Sequence, residues 1–130
     1  MRSDLFAVAL GAVLTIVGGA SAQEKAQEGE KIFKRTYGAC HTVEPGKHRV
    51  GPSLAGVVGR KAGTTEGFKY SDAMKNANIA WSEDNLDKYL TDPKGFLPGN
   101  KMAYTGLKKE NDRKAVIEYL ESVKAAAGAS

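Results

Sequence analysis

The sequence contains a single cysteine, Cys40, among its 130 residues. One cysteine excludes an internal disulfide, so its thiol is free, bridges two chains or is consumed by a cofactor. After the N-terminal segment there is no apolar stretch of the ~20 residues that a membrane span requires. Neither an alternating strand pattern nor an internal repeat is present. These absences leave one small domain of helices and loops, which would benefit from a stabilising cofactor.

The first 22 residues have the pattern of a secretory signal peptide. Arg2 gives a basic start, an apolar run covers residues 5–17, and small residues end in Ala20-Ser21-Ala22. The run is shorter than a membrane span, and small residues at these positions are typical of a cleavage site. We therefore expect residues 1–22 to be removed on export to the periplasm, and residues 23–130 to form one domain that does not span the membrane.

The charge balance is basic, with 19 lysines and arginines against 15 acidic residues and a formal net charge of +4. A basic balance can indicate nucleic-acid binding, but the sequence has no nucleic-acid-binding motif and begins with an export signal. An acidic protein partner is the better interpretation of the charge.

Helical periodicity predicts a helix near each end of this domain. Residues 24–36 form the first, and Gly29 within it favours a close crossing with another helix. Residues 109–124 form the last, which carries an apolar stripe. Shorter helices are predicted at residues 71–76 and 82–91, the second stopped by Asp92-Pro93. The pattern predicts an all-α domain in which the first and last helices cross and long loops wrap a large flat cofactor.

The pair Cys40-His41 is the candidate chemical centre. A c-type haem requires a thiol that adds to a haem vinyl group, an imidazole beside it that binds iron, and a second ligand from the opposite side. The usual attachment motif is Cys-x-x-Cys-His, and Tyr37 occupies its first cysteine position here. The motif is half present. By itself a Cys-His pair is more often structural than functional.

Met102 is the candidate second iron ligand. Besides Met1, the sequence contains two methionines, Met74 and Met102. Met74 falls in a short predicted helix and is interpreted as a packing residue, whereas Met102 lies on a loop interrupted by prolines and glycines, where packing explains it poorly. A thioether ligand favours reduced iron and raises the reduction potential. The other histidine, His48, lies on a polar loop and is interpreted as structural.

A series of short motifs, in this order and spacing, resembles the class I cytochromes c, which include the mitochondrial carrier and its bacterial photosynthetic and respiratory relatives. Each motif is weak alone, and together they cover nearly all of residues 29–123. The motifs are Cys40-His41-Thr42-Val43, Gly51-Pro52-Ser53-Leu54, Val58-Gly59-Arg60-Lys61, Gly67-Phe68-Lys69-Tyr70, Trp81, Tyr89-Leu90, Asp92-Pro93-Lys94, Pro98-Gly99-Asn100-Lys101-Met102 and Glu118-Tyr119-Leu120. The resemblance implies the class I cytochrome c fold around one haem c.

The resemblance also implies how the iron is held. His41 and Met102 would be its axial ligands, and the carbonyl of Pro52 would accept the other ring N–H of His41. Tyr104 would cover the haem edge. Because Tyr37 replaces the first cysteine, the haem would be attached through Cys40 only, as in the single-thioether cytochromes of some protist mitochondria.

Further residues would act around the haem in the same way. Arg60, Tyr70 and Trp81 would hold a haem propionate and offset the cost of burying its charge. Tyr89 and Asn100 would tune the Met102 side through hydrogen bonds. Ordinary aromatic packing is the alternative for Trp81 and Tyr89.

The resemblance implies an electron carrier and not an enzyme, since two protein ligands leave no open position on the iron. Its expected partners are acidic redox proteins or membrane redox complexes, bound by a monomer through a collar of lysines around the haem edge. The lysines of this collar are Lys34, Lys47, Lys94, Lys101, Lys108 and Lys109.

Two other functions stay open at this point. A haem peroxidase is the first, if attachment through one thioether makes Met102 a labile ligand. A helical binding domain without haem is the second, in which Cys40 is an ordinary thiol.

Overall fold

The computed structural model describes residues 21–128 together with Gly11, and side chains as far as residue 123. Residues 1–20 apart from Gly11, and with them most of the expected signal peptide, lie outside the described residues. The described part contains five helices and a single antiparallel bridge, between Lys61 and Ala80, but no strand. The helices are α1 (Ala22–Thr36), α2 (Asp72–Lys75), α3 (Glu83–Thr91), α4 (Pro93–Phe96) and α5 (Glu110–Gly128). The predicted all-α class is confirmed.

The first and last helices cross at Gly29. Gly29 is buried, and a Cβ atom at this position would collide with the backbone carbonyl of Ala115 on α5. Only glycine allows the two backbones to approach so closely, and this outweighs its low helix propensity. The crossing buries apolar side chains from both helices, namely Ile32, Phe33, Ala115, Val116 and Leu120. The predicted crossing of the terminal helices is confirmed.

Side-chain caps set where the other helices begin. The hydroxyls of Ser71 and Ser82 each accept a hydrogen bond from the backbone N–H three residues ahead. Asp92 caps α4 in the same way, and Pro93 takes its first position, where a missing N–H costs nothing. The stop predicted at Asp92-Pro93 is confirmed, because α3 ends at Thr91, but the short helix α4 that starts at Pro93 was not predicted.

The ends of α1 and α5 also differ from the prediction. Helix α1 begins at Ala22, with Ser21 as its cap, and α5 runs from Glu110 to Gly128. Since Ser21 and Ala22 belong to the segment expected to be removed, cleavage after Ala22 would take this cap away. None of the helices among the described residues is long and apolar enough to cross a membrane.

Helix α3 is tied to α5 by an ion pair that the sequence did not predict. Arg113 Nε donates to Asp87 Oδ1 at 2.7 Å, and Arg113 Nη1 donates to the carbonyls of Leu107 and Lys108. Arg113 is buried, so these bonds satisfy a guanidinium that has lost most of its water. They fix the end of the segment between α4 and α5, which carries Met102.

Candidate functional site

A cavity of about 560 Å³ lies among α1, α3, α5 and the loops between them. This volume is typical of pockets that bind a small molecule or cofactor. Much of its wall is apolar, formed by Phe33, Leu54, Val57, Leu86, Leu90, Val116 and Leu120. All of the residues predicted for the site line it, namely Cys40, His41, Pro52, Arg60, Tyr70, Trp81, Tyr89, Asn100 and Met102.

The chain turns sharply after α1 and brings Cys40 and His41 to the cavity. Tyr37 caps the helix, and its carbonyl accepts the backbone N–H of Cys40 at 3.0 Å and of His41 at 2.9 Å. Cys40 is exposed at the mouth of the cavity, while His41 is partly buried. The two neighbouring residues thus present a thiol and an imidazole to the same space.

The His41 ring is held in one orientation. Its Nδ1 lies 2.8 Å from the carbonyl oxygen of Pro52, which can only accept, so Nδ1 carries the proton and Nε2 keeps a free lone pair. Gly51 allows the chain to pass directly over the ring, because a Cβ atom there would collide with it. Burial lowers the pKa of His41, and the bond to Pro52 opposes this in part. The ring is therefore prepared as a neutral ligand for a metal.

Met102 is placed by hydrogen bonds from two other residues. Tyr89 on α3 donates its hydroxyl to the Met102 sulfur at 3.4 Å. The buried Asn100 side chain accepts the Met102 backbone N–H at 2.8 Å and donates to the carbonyls of Pro93 and Leu97. Burial raises the pKa of Tyr89 to about 12, so its hydroxyl is a donor at neutral pH. These bonds hold the thioether of Met102 in place, although residues 97–109 around it contain no helix.

One part of the cavity wall offers polar groups. Arg60 donates to the carbonyls of Ala55 at 3.1 Å and Ser53 at 3.4 Å, and burial lowers its pKa while the neighbouring Tyr70 opposes this. The Tyr70 hydroxyl is buried and has no hydrogen-bond partner in the described part of the chain. Trp81 packs on Tyr89 with ring centres 4.9 Å apart. A guanidinium and an unpaired phenol donor together suit a bound carboxylate.

Tyr37 forms part of the wall beside Cys40. Its ring is 5% exposed and packs against Phe33 and, edge to face at 5.4 Å, against Tyr104. Burial raises the pKa of Tyr37, with a further contribution from the Tyr104 phenol. The Tyr37 hydroxyl makes no hydrogen bond within the described residues, although the Tyr104 phenol lies close enough to raise its pKa. The residue contributes aromatic packing at the cost of one buried, unpaired polar atom.

The lysines predicted to form a collar differ in what they contact. Lys34 pairs with Glu30 at 3.0 Å and Lys47 with Glu44 at 3.3 Å, which neutralises part of their charge. Lys108 donates to the carbonyls of Thr91 and Thr105. The three others, Lys94, Lys101 and Lys109, are exposed and make no ion pair within the part of the chain that the structure describes.

Sequence reasoning missed several residues around the cavity. Lys69 lines it, as Lys101 does, and Arg49 donates to the Gly38 carbonyl at 2.6 Å. Gly51 belongs to a motif that carries the resemblance, but nothing in the sequence signals its contact with the His41 ring. His48 is bonded through both ring nitrogens, to Ser53 N–H and to the Glu66 carbonyl, which agrees with its structural interpretation.

Comparison with known proteins adds to this geometry. A protein-family model described as cytochrome c matches residues 26–124. Cytochrome c2 iso-2 of Magnetospirillum molischianum is 60% identical over 86 residues, which are 66% of this chain and 89% of that protein. Cytochrome c of Guizotia abyssinica is 48% identical over 98 residues, 75% of this chain and 88% of that protein. Cytochrome c of Euglena viridis is 43% identical over 99 residues, 76% of this chain and 97% of that protein.

Proposed function

The chain belongs to the cytochrome c family, whose members bind haem c and are electron carriers rather than enzymes, and from this premise we propose that it carries single electrons in the periplasm. One haem, attached through Cys40 alone and ligated by His41 and Met102, would serve as the redox centre. Because members of this family bind haem c, family membership argues against a helical binding domain without haem.

The residues around the cavity fit a haem. Apolar side chains form much of the wall, as a flat macrocycle requires, and the exposed thiol of Cys40 stands at the mouth. The free Nε2 lone pair of His41 and the sulfur of Met102 supply one nitrogen and one sulfur ligand. The buried Tyr70 hydroxyl, which has no partner in the described part of the chain, suits a propionate beside Arg60. This unpaired donor is a cost that a bound carboxylate would remove.

A bound haem supplies an iron that changes its charge by one electron. The protein must then keep both ligands in place and keep water away from them. The Pro52 carbonyl fixes the His41 ring, Asn100 fixes the backbone of Met102, and the apolar wall excludes solvent, which tunes the potential. A Met102 held in this way favours a carrier over a peroxidase, since peroxidase chemistry needs an open position on the iron.

The pattern of a secretory signal peptide in residues 1–22 supports export to the periplasm. A signal peptide delivers the chain to the compartment in which bacteria attach haem to cysteine. A monomer with an exposed cationic surface would suit an acidic redox partner. Lys94, Lys101 and Lys109 carry that proposal best, because their charges are not paired within the described residues.

The observation that carries the proposal is that His41 and Met102 line one cavity, each fixed by a hydrogen bond. Its test is the intact mass and the alkaline pyridine spectrum of the purified protein, with the near-infrared band of methionine bound to Fe(III). We expect residues 23–130 plus one covalent haem, a pyridine spectrum to the red of a haem with two thioethers, and the band at neutral pH. The control Met102→Ala should lose the band but keep the covalent haem. Haem that acid-acetone extracts, or a missing band, would contradict the proposal.

A further inference from the structure

Arg49 connects the two chain segments that position His41. Its side chain reaches back eleven residues, and Nη1 donates to the Gly38 carbonyl at 2.6 Å. Its backbone N–H donates to the Gly51 carbonyl at 2.9 Å, while the Gly51 N–H donates to the Cys40 carbonyl at 2.8 Å. Arg49 therefore joins the turn of residues 37–41 to the Gly51-Pro52 segment that covers and orients the imidazole.

The turn has few other restraints at its first end. Its internal bonds run from Cys40 and His41 to the Tyr37 carbonyl, and Gly38 N–H bonds back to Phe33 in α1. The Gly38 carbonyl is the one turn carbonyl that a side chain binds within the described residues, and that side chain is Arg49. In a chain with two attachment cysteines the position of Tyr37 would be covalently tied to the haem. Here that tie is missing, and only packing of the Tyr37 ring holds the side chain.

We propose that Arg49 is a positioning residue that takes over part of the restraint of a second thioether, by binding the Gly38 carbonyl and so fixing the turn that presents Cys40 and His41. This inference rests on the proposed attachment of haem through Cys40 alone. A charged guanidinium makes a stronger bond to a carbonyl than a neutral donor does, which suits an exposed contact that must restrain a loop. The sharpest consequence is coupling between positions 49 and 37.

The test compares Arg49→Ala in two backgrounds, the natural chain and Tyr37→Cys, each produced as full chain with haem attached. Intact mass and the pyridine spectrum first establish one or two thioethers, so a failure of the proposed attachment is recognised separately. In the natural background we expect a melting temperature lower by roughly 4 °C, the size of one lost hydrogen bond in a small domain. In the doubly attached background the loss should be less than half as large.

Two further variants separate positioning from charge. Arg49→Lys keeps a cationic donor and should recover part of the loss. Arg35→Ala removes the same side chain from the exposed surface of α1, where Arg35 makes no side-chain hydrogen bond within the described residues, and its effect should be equal in both backgrounds. Equal losses for Arg49→Ala in the two backgrounds, or a loss no larger than that of Arg35→Ala, would overturn the proposal.

The NMR shifts of the haem methyl groups in the oxidised protein give a second measure. Loss of a hydrogen bond that only stabilises the fold elsewhere would not change these shifts. They report how the His41 ring is oriented over the haem, so Arg49→Ala should shift them and Arg49→Lys should restore them in part. This comparison needs only the natural background and decides the matter if Tyr37→Cys yields no doubly attached protein. Resonances that stay in place in Arg49→Ala would overturn the proposal.

Discussion

The two sides of the cavity are held in different ways. On the His41 side backbone groups hold the ring, since Nδ1 donates to the Pro52 carbonyl and the chain at Gly51 passes over the ring. On the Met102 side both bonds come from side chains, the amide of Asn100 and the hydroxyl of Tyr89 on α3. The segment after Met102 is tied further on, where Leu107 N–H bonds to the Leu90 carbonyl.

The Met102 side also lacks regular structure, and it has no cysteine, whereas Cys40 adjoins His41. Residues 97–109 contain no helix, and their exposed and half-buried side chains alternate around Met102. The comparison teaches that backbone groups fix the imidazole, whereas the thioether depends on the side chains of two residues, Asn100 and Tyr89. The Met102 side should therefore give way first under any stress that leaves the haem attached.

Removal of the covalent anchor should have the largest effect. Cys40→Ser leaves no residue able to form a thioether, so we expect a complete loss of covalent haem, measured as the mass of the denatured protein. Tyr37→Phe is the matched control on the same turn and should retain the haem. Covalent haem in Cys40→Ser would show that another residue forms the link.

Asn100→Ala should show how much the Met102 side depends on one buried amide. The change removes three hydrogen bonds: the Met102 N–H loses its acceptor, while the carbonyls of Pro93 and Leu97 each keep one backbone N–H, and the loss should cost roughly 3 kcal/mol of unfolding free energy. Denaturant unfolding measures this, and the Met–Fe(III) band should weaken. The control is Asn85→Ala, which removes a single exposed hydrogen bond to the Ala80 carbonyl. It should cost about 1 kcal/mol and leave the band intact. Similar losses in both variants would remove the distinction between the two sides.

Alkali should displace Met102 before it affects His41. The amines of Lys94 and Lys101 become iron ligands only after losing a proton, so the Met–Fe(III) band should disappear as pH rises. Because burial raises the Tyr89 pKa from about 10 to about 12, its hydroxyl keeps the proton that it donates to Met102 until the pH nears 12, and the stability that this shift contributes is lost as pH rises from about 10 to about 12. Lys94→Ala with Lys101→Ala should move the transition up towards that range. If the transition pH does not change in this double variant, the group that displaces Met102 is not one of these two lysines.

Charge reversal should separate paired from unpaired lysines. Lys101→Glu and Lys34→Glu change the net charge equally, but Lys34 already pairs with Glu30 and Lys101 lines the cavity. We expect Lys101→Glu to slow association with an acidic redox partner by roughly threefold more than Lys34→Glu at low salt. The difference should shrink as salt screens charges beyond about 8 Å. Lys75→Glu on α2 is the control, and equal effects of all three would leave only an argument from net charge.

Tyr37→Phe should have the smallest effect. It keeps the packing against Phe33 and Tyr104 but removes a buried hydroxyl that has no partner in the described part of the chain. We expect the free energy of unfolding to rise by at most about 1 kcal/mol, measured with denaturant on the haem-loaded protein. A clear loss of stability would show that the hydroxyl is bonded in the loaded protein.

Sequence patterns predicted those features that depend on neighbouring residues. Gly29 indicated a close crossing because the absence of a side chain lets two helix backbones approach closely wherever helices meet. The Cys40-His41 pair needed only adjacency. The second helix start at Pro93 was missed, because proline suits the first position of a helix as well as it stops one.

Contacts between distant residues were beyond the reach of any local pattern. Asp87 and Arg113 are 26 residues apart, and neither residue type signals its partner in advance. Arg49 was overlooked because one arginine in a basic loop resembles any other until its carbonyl partner is known.

The sequence by itself determined the residue types that the site requires, a thiol next to an imidazole and a methionine on a loop rich in proline and glycine. The chemistry of such a site depends on which residues are present and on their spacing in the sequence. Only the tertiary structure decided that these groups line one cavity, which lysines keep an unpaired charge, and that Tyr37 is buried. The reason is physical, since burial and pairing are properties of how distant segments pack, and the free energy of each contact depends on neighbours that the local sequence does not contain.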